Sequence, residues 1–368
     1  MAFDPDGLPL ELVLPPSAWM LAGEAEKALG RLGGLLVGGG NPVSPQLVSR
    51  PLLRREAIES SRIEGTFTTP EQLVLFEAED AELSPEDNDE TREVQNYLLA
   101  LDWASKEMKH LPISARLIRG IHERLMRGVR GADQYPGEFR TIQNFIGRSQ
   151  DPREARFVPP PPGRVAELIA ELERYIHLPT EERRLARLVR LALIHYQFET
   201  IHPFRDGNGR VGRILIPLLL QQDDPSDPPL YLSAYFEQHR QDYYDLMLAV
   251  SQRGAYTAWI EFFLRAVVDS AHSSVELANH LIALRARYHQ VAQEKRWPAA
   301  CLVLIDALFE HPVLTIKQVE ERVAVTTPTA SAHLKKLEEA GIIAEFTGRQ
   351  RNRKYLALEM LRLTHPSS

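Results

Sequence analysis

The sequence predicts a mainly α-helical protein: a helical bundle interrupted by one β-hairpin and followed by a C-terminal winged helix-turn-helix domain. Three observations carry that prediction. Nearly every stretch with clear hydrophobic periodicity repeats at three and four residues. Residues 131–162 break the pattern with two short strand-like texts around a polar turn. The chain beyond residue 291 reads helix, helix, turn, helix, hairpin. The expected division is an N-terminal helical region at 1–110, a core at 111–290 and a terminal module at 291–368.

Taken in order, residues 17–35 form a helix ended by the glycines at 38–40. Residues 45–64 form a second, stopping at Gly65, a normal residue just past a helix C-terminus. Thr69-Pro70-Glu71-Gln72 opens a third. The acidic segment 77–89 reads as a solvated linker or helix end, and helix resumes from Glu90 to about Lys109. Ser114 starts a helix to about Gly128, and 165–178 forms another. Between them RTIQNFIGR, the turn SQDPREA and RFVPPPP give the hairpin, its prolines setting the exit path. Residues 181–201 are amphipathic through Leu185, Leu188, Leu191, Ile194 and Phe198, and lead directly into His202. Residues 211–221 are apolar almost all round, which predicts a buried central helix; 233–252 and 255–290 supply two more. Ala299–Glu310, Thr315–Val323 and a helix opened by Thr327-Pro328 precede two strands around a basic loop.

Composition narrows the class. At 368 residues the chain can bury two or three cores. A net charge of -7 argues against a surface that binds nucleic acid everywhere, while leaving room for a local basic patch. One cysteine, Cys301, excludes an intrachain disulfide, suits a reducing cytoplasm and reads as a buried structural thiol. The N-terminus is acidic and proline-broken, unlike a signal peptide. No apolar run approaches the ~20 residues that cross a bilayer.

Residues 202–213, HPFRDGNGRVGR, concentrate chemistry that no packing need explains. Gly207-Asn208-Gly209 lies between a polar turn and an apolar helix, where converging backbone N–H groups favour an anion. Arg210 and Arg213 lie about one helical turn apart, and both can reach phosphate oxygens. Asp206 would repel a naked phosphate but assists one that carries Mg2+. His202 is then placed as a general base. Singly, His202 could merely cap a helix and Asp206 merely pair with an arginine. Together they point to a polyphosphate and a proton transfer.

This stretch resembles the Fic family signature, HxFx(D/E)GNGRxxR, at every specified position. The resemblance implies a Fic-type helical bundle, ATP as substrate with Mg2+, and transfer of AMP to hydroxyl side chains of target proteins. His202 would deprotonate the target hydroxyl, Phe204 would pack the loop and Asp206 would hold Mg2+. Gly207, Asn208, Gly209, Arg210, Val211, Gly212 and Arg213 would surround the phosphates. Glycine at 209 follows the AMP-transferring pattern, where Doc-type relatives carry lysine. The hairpin is similar to the family's flap, with Ile142, Asn144, Phe145, Phe157 and Val158 docking the target by strand addition. Tyr243 resembles a residue lining the adenine pocket; an aromatic at helical spacing reads equally as core. Ser60-Ser61-Arg62-Ile63-Glu64-Gly65 fits a second family pattern, (S/T)xxxE(G/N). There Glu64, one turn from Ser60, would pair with Arg213 and block placement of the ATP γ-phosphate.

The terminal module leaves a second class open, a transcriptional regulator binding DNA. Lys335 and Lys336 lie on its third helix, and Arg349, Arg351, Arg353 and Lys354 on its wing. Across 297–368 nine basic residues face eight acidic ones, a balance unlike a strong DNA-binding surface. A role in protein contact or homodimer formation is comparably open, as are transfer of another nucleotide moiety and removal of AMP. No membrane partner is expected.

Overall fold

Four helices make the N-terminal part of the computed structural model: α1 (Pro16–Val37), α2 (Gln46–Ile63), α3 (Pro70–Glu77) and α4 (Asp89–Glu107). Residues 2–37, 46–78, 89–131, 134–147, 152–348 and 352–365 are described. The expected stop of the first helix at glycines 38–40, most of the acidic segment, part of the 149–155 turn, and Arg349 and Arg351 lie outside them. α2 closes with a Schellman motif: Thr66 N–H reaches Ser61 O and Gly65 N–H reaches Arg62 O, with Gly65 at φ 84°. Glu64 is therefore pinned as the helix's last half-turn residue. Thr69 and Gln72 form a reciprocal capping box at α3, with Pro70 at the first helical position.

Seven helices follow: α5 (Ala115–Leu125), α6 (Pro162–Ile176), α7 (Arg187–Ile201), α8 (Asn208–Asp223), α9 (Ser233–Gln238), α10 (Arg240–Arg253) and α11 (Tyr256–Glu294). α7 and α8 sit at the centre, and Asn208–Leu220 is buried almost without interruption, matching its all-round apolar text. α1 lies along α11, α4 against α5, and α2 against α4 and α9. One core joins Leu29, Tyr97, Ile121, Leu193, Phe204, Leu215 and Trp259.

Three expectations need correction. The helix before His202 starts at Arg187; Thr180–Glu182 forms only a 3-10 turn, its residues exposed and offering no apolar face. The helix expected at 233–252 is two helices, meeting at His239. The hairpin is present, but among the described residues its arms meet in one isolated antiparallel bridge, Ile146 with Phe157, instead of a ladder. Prolines 159–162 supply no N–H. Side chains replace the ladder: Arg140 Nη2 donates to Pro160 O at 2.6 Å and Gln143 Nε2 to Pro159 O at 2.8 Å.

The terminal module comprises α12 (Ala299–Glu310), β1 (Val313–Thr315), α13 (Ile316–Val323), α14 (Thr327–Glu339), β2 (Ala344–Glu345), β3 (Lys354–Leu356) and α15 (Leu358–Thr364). Its sheet is antiparallel in the order β1-β3-β2. β1 and α15 were not foreseen. Cys301 is buried, with Sγ 3.6 Å from His333 Nδ1, as a structural thiol should be. This module shares a core with Leu47, Val48 and Leu52 of α2 and Val74 of α3. Arg54 of α2 ties the seam, donating to Glu310 O at 2.7 Å and to Glu77 Oε2 at 2.8 Å. No helix among the described residues is long and apolar enough to cross a membrane.

Candidate active site

α7 ends at His202, whose φ of 50° and ψ of 60° place it in the left-handed region. A non-glycine residue there is costly and turns the chain sharply into the loop. The imidazole Nδ1 lies 3.2 Å from Glu199 O. A carbonyl only accepts, so Nδ1 carries the proton and Nε2 keeps its lone pair. Burial lowers the His202 pKa to about 4, leaving the ring a neutral proton acceptor at neutral pH.

The loop after it is held by its carbonyls, one after another. His202 O accepts from Arg140 Nε at 2.8 Å and Pro203 O from Arg140 N–H at 2.9 Å. Phe204 O accepts from Asn144 Nδ2 and Asn208 Nδ2 at 2.8 and 2.9 Å, and Arg205 O from Asn144 Nδ2 at 3.3 Å. Asp206 O pairs with His122 Nε2 at 3.1 Å. Gly207 O accepts the first bond of α8, from Val211 N–H. The N–H groups of Asn208, Gly209 and Arg210 precede that first bond, so α8 presents an open N-terminus.

The signature residues divide between this cradle and its supports. Gly207 adopts φ 74°, but Gly209 is ordinary helix. What Gly209 lacks is bulk: a Cβ there would lie 2.3 Å from Glu64 Oε1 and 2.8 Å from Arg213 Nη1. Asn208 is buried, its side chain spent on Phe204 N–H and O, so it builds the cradle instead of lining it. Val211 is core, and Gly212 admits the Glu199 carboxyl, whose Oε1 would lie 2.1 Å from an added Cβ. Asp206 takes the Gly207 N–H on Oδ1 at 2.6 Å, and its side chain stays 48% exposed. Arg210, expected at the phosphates, is buried and bonded to Glu93 Oε2 at 2.9 Å.

Arg213 is the meeting point. Its Nε donates to Ser60 Oγ at 2.8 Å, and its Nη2 to Ser60 O at 2.9 Å and Glu64 Oε1 at 2.7 Å. Its side chain is 1% exposed, that of Glu64 31%. Burial works against the Glu64 carboxylate, yet Arg213 outweighs it and holds the pKa below the ordinary value. The buried Glu199 carboxyl shows the opposite balance. Burial raises its pKa to about 8 despite the attraction of Arg213, and its Oε1 has no hydrogen-bond partner among the described residues.

The residues expected at the flap and on the adenine side occupy different settings. Ile142 and Phe145 are exposed, while Asn144 is a loop anchor. Phe157 bridges to Ile146; Val158 O already accepts Phe3 N–H at 2.9 Å, so this edge is covered by the chain's own N-terminal segment. Tyr243 lines no open surface. It is buried among Phe236, Trp259 and Phe262, its hydroxyl on His195 Nε2 at 2.8 Å. Its neighbour Tyr244 is half-buried, and burial with the Glu64 charge raises its hydroxyl to about 12. Arg140, His122, Glu93 and Glu199 were missed by sequence reading; no local pattern marks them.

Known proteins resemble this chain in sequence and in fold. The Fic/DOC family model matches residues 112–220, the Fic/DOC family N-terminal model 19–106, and a winged helix-turn-helix DNA-binding model 303–344. The protein adenylyltransferases Fic of Culex quinquefasciatus and Aedes aegypti are each 32% identical over 189 residues, covering 50% of this chain and 33% and 34% of theirs. The chain thus spans about a third of the length of these curated relatives. A Fic family protein from Desulfovibrio desulfuricans G20 shares the fold at a TM-score of 0.59 and 23% identity, over 95% of this chain and 98% of that one. Fic-1 from C. elegans does so at 0.53 and 20%, over 73% and 76%.

Proposed function

The chain belongs to the Fic/DOC family, and on that premise we propose that it is a protein adenylyltransferase restrained by its own Glu64. The observation that carries the reading is a proton acceptor, His202 Nε2, on the same short loop as the open N-terminus of α8. A target hydroxyl oxygen attacks the α-phosphorus of ATP, and its proton passes to His202 Nε2. The bond to the β-phosphate breaks and pyrophosphate leaves. The N–H groups of Asn208, Gly209 and Arg210 receive phosphate charge, in fixed positions that need no reorganisation during the reaction. Ile142 and Phe145 offer the target an apolar edge.

The donor set fits Mg2+. Asp206 provides one half-exposed carboxylate beside the cradle, and no group of three or more His, Cys, Asp or Glu that could hold an ion occurs among the described residues. One carboxylate plus nucleotide oxygens is a normal Mg2+ shell. Such an ion supplies neutralisation of phosphate charge, and Asp206 is the residue that would hold it.

The restraint rests on the 2.7 Å Glu64–Arg213 contact, which occupies the guanidinium next to the cradle. The test is incubation of wild type, Glu64→Gly and His202→Ala with labelled ATP, followed by adduct mass. An AMP-mass adduct, strongest in Glu64→Gly and absent in His202→Ala, is expected. An adduct of another mass, or none in Glu64→Gly, would overturn the reading. The winged helix-turn-helix match supports DNA as an additional partner. Salt-dependent DNA binding by the full chain checks it, and binding indifferent to salt would count against it.

A further inference from the structure

We propose that His122 is a positioning residue for the nucleotide: it fixes the peptide between Asp206 and Gly207, and so the aim of the carboxylate and of the first free N–H groups of α8. This rests on the reading above that Asp206 and the α8 N-terminus hold ATP with Mg2+.

His122 lies on α5, buried and without a path to substrate, so it takes no part in the chemistry itself. Its ring is stacked flat on Phe204, centroids 3.8 Å apart and planes 2° from parallel. Gly137 N–H donates to its Nδ1 at 2.8 Å, which places the ring proton on Nε2. That N–H in turn donates to Asp206 O at 3.1 Å. The Cδ2 edge also sits 3.5 Å from where a Gly207 Cβ would be. One side chain therefore ties together α5, the 134–140 loop and the signature loop, meeting the last at its packing residue and at its metal-side residue.

Only histidine meets all three demands. Phenylalanine keeps the stacked face but leaves the buried Gly137 N–H and the part-buried Asp206 O without this partner. Glutamine offers a donor to Asp206 O but no face for Phe204. The other loop carbonyls keep their own donors, so losing His122 frees the Asp206 end while the His202 end stays held by Arg140. The effect should fall on phosphate and ion placement, and not on the base.

The experiment measures ATP binding by calorimetry, with Mg2+ and with EDTA, for Glu64→Gly alone and combined with His122→Phe or His122→Gln. With Phe the gain in ATP affinity from Mg2+ should shrink at least ~10-fold, one lost charge-linked contact. Affinity in EDTA should change less than ~3-fold, and Gln should recover part of the gain. The imidazole nitrogen resonances of His122 in the Glu64→Gly protein give a check independent of any His122 variant folding. They should report an Nε2–H tautomer and shift on Mg·ATP more than on ATP alone. A full Mg2+ gain in His122→Phe, an Nδ1–H tautomer, or equal losses with and without Mg2+ alongside a lower Tm would overturn the proposal. No Mg2+-dependent ATP binding in Glu64→Gly itself would overturn the adenylyltransferase reading and this inference with it.

Discussion

If the brake is an ion pair, its strength should grade with the charge at position 64. Glu64 Oε1 accepts from Arg213 Nη2 at 2.7 Å. Arg213 is buried to 1%, while the 31% exposure of Glu64 lets solvent screen part of the attraction. A hydrogen bond to a charged partner contributes about 1.5–3 kcal/mol, and screening argues for the lower half of that range. Glu64→Gly removes about 2 kcal/mol from the restrained state, roughly a 30-fold rise in ATP affinity or initial rate. Clearing the side chain also opens room beside the cradle, so the true factor should be no smaller. Glu64→Gln keeps an acceptor and the volume while losing the charge, which predicts about 5-fold. In neither variant is Arg213 stranded, because Ser60 still offers Oγ and O. Initial rates of AMP incorporation, paired with calorimetric ATP affinity, check the order wild type, Gln, Gly. A Gln variant equal to wild type beside an active Gly variant would show that bulk restrains the site, and would refute the ionic reasoning.

The His202 pKa of about 4 makes the ring neutral throughout pH 5.5–7, and the Glu64 charge raises that pKa. The kcat/KM profile of Glu64→Gly should therefore be flat across that range; an acid limb centred near the ordinary histidine value would contradict the assignment. Gly212→Ala drives a Cβ to 2.1 Å from Glu199 Oε1 and 3.1 Å from Phe198 Cδ1, an overpacking that costs about 1–3 kcal/mol in thermal unfolding. Gly30→Ala, with nothing within 4 Å, should stabilise α1 instead, and equal effects at the two sites would count against the packing account. Arg54→Ala loosens the seam between α2 and α12, ten residues before Glu64 on the same helix. It should raise AMP transfer in wild type and leave Glu64→Gly unchanged, whereas activation of both would mean that the seam acts elsewhere.

What could be read from the chain followed from where its information lies. Residues 202–213 are contiguous, so the candidate base, metal-side carboxylate and cradle could be read together. Glu64 and Arg213 are 149 residues apart, and only the family resemblance joined them in advance. Arg140 and His122 were invisible for a different reason. Each reads as an ordinary side chain in a helix or loop, yet the folded loop turns consecutive carbonyls toward Arg140 and the Asp206 carbonyl toward His122. Demand of that kind exists only once the loop is folded. The hairpin pairs at Ile146 and Phe157 but is shortened by its own prolines: a strand-like text that cannot donate must be held by side chains. Tyr243 shows the ambiguity of an aromatic on a helix, where spacing alone cannot tell a pocket wall from a core.

At Asn208, Gly209 and Arg210 it is the backbone that faces the cradle. Asn208 is committed to Phe204, Arg210 to Glu93, and Gly209 has no side chain to offer. What the three share is an N–H that precedes the first bond of α8 and has no partner among the described residues. Side-chain identity there serves to hold the loop, keep bulk out and anchor α8 to α4, so that three backbone groups converge. Arg213 differs: its guanidinium is held by Ser60 and Glu64, and on the proposed reading only the Glu64 contact would be exchanged for a phosphate. On that reading, regulation would concentrate in the one guanidinium that Glu64 and the nucleotide would share.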